Sequence, residues 1–96
     1  MPDLLNITFG FVPNEKEVEA INAAFDGSID WVRYAPNCWF VWDDKGSKVV
    51  ADKILGLVAD KTFFVTKVYK NENWGALPHE IWAWLEKTTG LKRINP

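Results

Sequence analysis

The chain has 96 residues, enough for one domain, and carries 13 acidic against 11 basic side chains for a net charge of −2. That balance argues against a general polyanion binder, which would be basic, although the charge is uneven: residues 1–30 hold one lysine against six acids, and residues 31–96 hold ten basic against seven acidic side chains. A single cysteine, Cys38, excludes an intrachain disulfide, no apolar run reaches membrane-spanning length, and the N-terminus lacks the basic region and cleavage site of a signal peptide, so a cytoplasmic protein without membrane contact is expected.

Leu5, Ile7, Phe9 and Phe11 alternate with Asn6, Thr8 and Gly10, the period of a strand with one buried face, and Pro13 ends it. Asn14 with Glu17 three residues on makes a capping-box-like start to a helix. Val18, Ile21, Ala24 and Phe25 form its apolar stripe, and Asp26-Gly27 stops it. IDWVRY and CWFVWD, residues 29–34 and 38–43, read as two strands of a hairpin joined by APN. Ser47 is a candidate N-cap for a second helix with Val50, Ile54, Leu57 and Val58 on one face, interrupted by Gly56 near its end. KTFFVTKVYK, residues 61–70, is a fourth strand. Pro78 suits the first turn of a third helix whose Leu77, Ile81, Trp84 and Leu85 share a face, with Gly90 just past its end.

The order βαββαβ plus a final helix predicts an α+β domain of the ferredoxin-like, split βαβ kind over residues 1–90, with a loose tail at 91–96. Two helices cover one face of the four-stranded antiparallel sheet and leave the other open. In CWFVWD, Trp39 and Val41 take one face and Cys38, Phe40 and Trp42 the other. If Trp39 and Val41 meet the helices, Phe40 and Trp42 land on the open face beside Asn6, Thr8 and Gly10; the reverse facing is equally apolar. Three uses of the open face compete: cover by the last helix through Trp82, Trp84 and Leu85, pairing of two copies, or stacking of bases. Stacking is disfavoured by a hairpin that offers Arg33 alone as a cation and no RNP-type motif.

The hairpin WVRYAPNCWFVWDD resembles that of small bacterial and phage proteins grouped as the SinR family, in which Trp and Tyr precede a turn and a Trp-hydrophobic-Val strand follows. NWGALPHEIWAWL is similar to the Trp-Gly segment and Trp-containing helix at their C-termini. The resemblance spans most of residues 29–87 and implies a fold similar to the ferredoxin-like CRISPR adaptation nucleases and the VapD-type toxins, which form homodimers. It does not carry the chemistry across. Those nucleases place an Asp at the end of the first strand to organise a metal ion, where this chain has ITFGF, and Asp3 lies at the opposite end.

Other chemistry is sparse. Asp43-Asp44 point to opposite faces of a strand and read as a solvated turn. His79 is the only histidine and has no nucleophile nearby in sequence; Cys38 reads as a small packed hydrophobe. No metal site, cofactor or catalytic residue is assigned. Arg33, Tyr34, Lys67 and Lys70 lie on edge strands, where lysines guard against aggregation; with Phe40, Trp42 and Tyr69 they could also rim an aromatic patch. The ligand-binding candidates are therefore Arg33, Phe40, Trp42, Lys67 and Tyr69. The expected function is a non-enzymatic homodimer or higher homo-oligomer that binds a nucleotide or short nucleic acid through aromatic and Arg/Lys groups. The alternatives are a protein–protein interaction module and a nuclease-like enzyme related to the CRISPR adaptation or toxin families.

Overall fold

The computed structural model describes residues 2–69 and 75–91. Its elements run β1 (Asp3–Phe9), α1 (Glu15–Phe25), β2 (Asp30–Ala35), β3 (Cys38–Asp43), α2 (Ser47–Val58), β4 (Phe63–Val68) and α3 (His79–Thr89). This is an α+β fold: one four-stranded sheet in the order β2-β3-β1-β4, with every neighbouring pair antiparallel. α1 carries the chain from β1 over β3 to β2, and α2 carries it from β3 over β1 to β4.

Alternation along the strands sorts the side chains onto two faces. On the first face Leu5, Ile7 and Phe9 of β1 and Trp39 and Val41 of β3 pack against Ile21 and Phe25 of α1 and Val50, Ile54 and Val58 of α2. Trp39 is fully buried at the centre, edge-on to Phe9 at 5.4 Å and to Phe25 at 6.4 Å, with its indole Nε1–H donating to Asn22 Oδ1 at 3.1 Å. The facing of β3 left undecided by the pattern is thus settled: Trp39 and Val41 meet the helices. Large rings at this position let a short chain remove much apolar surface from water.

The local signals act as the sequence predicts at α1, where the Asn14 side chain accepts from the Glu17 N–H at 2.8 Å and the Glu17 carboxylate accepts from the Asn14 N–H at 2.9 Å. They differ at α2. Gly46, not Ser47, is the N-cap, and no side chain caps the helix directly. The turn before it is held by Asp43, which is 1% exposed and so is not the solvated residue its neighbour Asp44 suggests. Its carboxylate accepts from the Lys45 and Gly46 N–H groups at 2.7 and 2.9 Å and from Ser28 Oγ at 2.8 Å. Burial pushes the Asp43 carboxyl upward, but these hydrogen bonds and the Lys45 charge outweigh it and lower its pKa. α2 continues through Gly56 to Val58, and Leu57 turns outward, 45% exposed, because the stripe follows Val50, Ile54 and Val58 at a spacing of four.

Gly10 leaves β1 where the chain entering β4 crosses closely. Its N–H donates to Thr62 O at 2.9 Å, and a Cβ there would lie 1.9 Å from Thr62 Oγ1. The radius of gyration is 13.0 Å, that of a packed domain of this length.

Candidate functional site

The second sheet face carries Leu4, Asn6 and Thr8 of β1, Cys38, Phe40 and Trp42 of β3, and Phe64, Thr66 and Val68 of β4, placed side by side by the strand registers. α3 lies across part of it. Ile81, Leu85 and Leu91 bury themselves on Leu4 and Phe40, with Val32, Trp42, Val68, Trp82 and Trp84 packed around them. Trp84 Nε1–H donates to Asp30 Oδ2 of β2 at 3.1 Å and ties the helix to that edge. At its end, Gly90 adopts φ 77°, a left-handed conformation that suits glycine. The Thr89 hydroxyl donates to Leu85 O at 2.7 Å and accepts the Leu91 N–H at 3.1 Å. The chain therefore bends back, and Leu91, the first residue assigned to the tail, is 2% exposed; residues 92–96 lie outside the described residues.

α3 does not seal the whole face. Between it and the strands lies a cavity of about 280 Å³, near the small end of ligand sites. Leu4, Phe40, Val68, Trp82, Leu85 and Leu91 make its apolar wall. Asn6, Tyr34 and Thr66 supply hydrogen-bonding groups, exposed Gly75 and Ala76 belong to the lining, and none of the described lining residues is charged. The phenol of Tyr34 donates to Asn6 Oδ1, and its ring stacks on Phe40 at 4.1 Å with 17° between the planes. Burial, reinforced by the neighbouring Cys38 sulfur, pushes the Tyr34 phenol well above its usual pKa, so it stays a neutral donor. Asn6 Nδ2 makes a long contact of 3.4 Å to Thr8 Oγ1. A carboxamide N–H and the Thr66 hydroxyl are thus offered beside an aromatic wall.

The five sequence-derived candidates are distributed over both faces and both edges. Phe40 and Trp42 lie on the second face, Phe40 in the cavity wall and 9% exposed, Trp42 half-buried beneath α3. Arg33 is on the first face at the β2 edge, its guanidinium carbon 5.0 Å from the centre of the Trp39 ring and its Nη2 donating to Pro36 O at 2.6 Å. Lys67 is at the opposite edge, paired to Asp3 at 3.2 Å, with its ammonium 5.3 Å from the ring of exposed Tyr69. Phe40 and Trp42 are brought together, as are Lys67 and Tyr69; Arg33 and Lys67 do not join a basic rim around the aromatic pair. Lys70 and Trp74 lie outside the described residues.

Of the cavity lining only Phe40 belongs to that set; the residues it lacks include Asn6, Tyr34, Thr66, Trp82 and Leu91. The signal for two of them was present: Asn6 and Thr66 are polar side chains on the face opposite the core stripe, and the register sets them side by side. Among the described residues, no three of His, Cys, Asp and Glu gather where they could hold a metal ion, and no helix is long and apolar enough to cross a membrane. Comparison with known proteins gives no matching family model, no similar curated protein and no similar solved structure.

Proposed function

We propose that this chain is a non-enzymatic, homo-oligomeric binding protein of the cytoplasm whose ligand places a neutral planar ring in the cavity beneath α3. The observation that carries this reading is the cavity itself: aromatic and aliphatic walls, with Asn6, Tyr34 and Thr66 as its hydrogen-bonding groups and no charged residue among its described lining. A volume of about 280 Å³ suits one ring rather than a whole nucleotide. The preferred ligand is therefore a nucleobase, presented by a nucleoside, a nucleotide or a short nucleic acid, with any phosphate left outside. The strand order, in which each crossover helix passes over one intervening strand, supports assignment to the ferredoxin-like class. On that assignment the resemblance to SinR-family proteins and VapD-type toxins is one of architecture, and function rests on the site.

The test is ligand-observed NMR with a panel of nucleosides and their monophosphates, run on the protein and on Thr66→Phe, which fills the cavity. Saturable binding in which nucleosides match or exceed their monophosphates, abolished by Thr66→Phe, is expected. Binding that requires the phosphate, or survives Thr66→Phe, moves the site elsewhere. No binding by any member of the panel removes the nucleobase. Cleavage of RNA or DNA that EDTA abolishes would replace the binding reading with the nuclease-like one.

A further inference from the structure

β2 and β4 are the two edges of the sheet, and they are finished differently. β2 has a register shift between Arg33 and Ala35, starts at exposed Asp30 and runs into Pro36. Bulges, charges and prolines are what keep an edge from pairing with another strand. β4 stays in register with β1 from Phe63 to Val68 without a break and contains no proline. Its one charged residue, Lys67, is drawn to Asp3 of the neighbouring strand at 3.2 Å. Phe64 stands 68% exposed on the same face as the cavity. A regular, β-prone edge with an exposed aromatic is a template for another strand.

We infer that β4 is the surface through which two copies of this chain pair, antiparallel, joining two four-stranded sheets into one continuous sheet. The inference rests on the homo-oligomer reading above and names its interface. α3 covers part of the face that first suggested oligomerisation, and β4 is a sheet edge with no strand paired outside it among the described residues.

The sequence of β4 points to a second copy as the occupant, because the strand is complementary to itself. A two-fold axis through Val65 sets Phe64 opposite the partner's Thr66 and Lys67 opposite the partner's Phe63. Lys67, the strand's one lysine, then meets an aromatic ring. An axis through Phe64 would instead carry Lys67 past the end of the partner's β4, with no ring opposite it. Self-complementarity of this kind is what a two-fold interface requires. The pairing also brings the partner's Phe64 beside Thr66 of the cavity wall, so that each copy supplies an aromatic ring next to the other's cavity.

Sedimentation velocity across the micromolar range tests this. The protein is expected to be a dimer, Phe64→Lys at least about tenfold weaker in self-association, a loss of roughly 1.4 kcal/mol, and Leu57→Lys, on the outer helix surface, unchanged. In a Cys38→Ser background, Val65→Cys is expected to give a covalent dimer on mild oxidation, since residues facing across a two-fold strand pair lie within disulfide reach. Circular dichroism verifies the fold of each variant, and the cross-link decides if Phe64→Lys does not fold. A protein monomeric throughout overturns this inference together with the homo-oligomer reading. A dimer that withstands Phe64→Lys and forms no cross-link through Val65→Cys, or one that Leu57→Lys dissociates, overturns the β4 interface and leaves the homo-oligomer reading standing.

Discussion

Replacing Trp39 by alanine should come close to unfolding this protein. The side chain is fully buried, touches Phe9 of β1 and Phe25 of α1 edge-on, lies under the Arg33 guanidinium, and donates its indole N–H to Asn22. Truncating such an aromatic costs about 3–5 kcal/mol through lost transfer energy and the cavity left behind. The released Asn22 is half-buried and reaches water, so its lost bond adds at most about 1 kcal/mol. A 96-residue domain has roughly 5–14 kcal/mol in total, at about 0.05–0.15 kcal/mol per residue. The melting temperature should therefore fall by roughly 12–48 °C, at about 4–8 °C per kcal/mol for this size. Trp39→Phe keeps a ring between Phe9 and Phe25 and loses the hydrogen bond and part of the contact, so it should cost about 1–2 kcal/mol. Urea titration followed by circular dichroism measures both. A loss below about 2 kcal/mol for Trp39→Ala, or equal losses for the two variants, would show that Trp39 does not anchor the first core.

Asp43 makes stability acid-sensitive. Its pKa is lowered on folding, so its contribution is complete above the ordinary carboxylate value of 3.8 and is lost as the pH falls through the lowered folded value. Asp43→Asn should flatten the stability profile in that acid window, and an unchanged slope by urea titration at stepped pH would refute the assignment. Leu85→Ala removes a side chain that is 2% exposed at the centre of the α3 contact and should cost about 2–4 kcal/mol. Hydrogen exchange should then rise in α3 while β1 and β3 stay protected, and uniform acceleration would mean that the two faces unfold together.

How much of this was legible beforehand follows from the range of each signal. Alternation from Leu5 to Phe9, the Asn14–Glu17 capping box and the turn between the two aromatic runs act within a few residues. They determine the order and kind of the elements before any long-range contact forms. The spacing in CWFVWD likewise determines that Trp39 and Val41 oppose Phe40 and Trp42, because a strand has period two. Only tertiary structure decides which of two apolar sets meets α1 and α2, since periodicity relates residues to one another and not to elements elsewhere in the chain. The same reason hid the cavity, whose walls come from β1, β2, β3, β4 and α3, and separated Arg33 from Phe40: both are on the aromatic hairpin, yet they lie on opposite faces of one sheet. Asp43 shows the limit most plainly. Beside Asp44 it reads as a solvated acid, and its burial depends on Ser28, fifteen residues away in the chain, and on the backbone of the turn that follows. A carboxylate with those partners is satisfied out of water, and one without them is not.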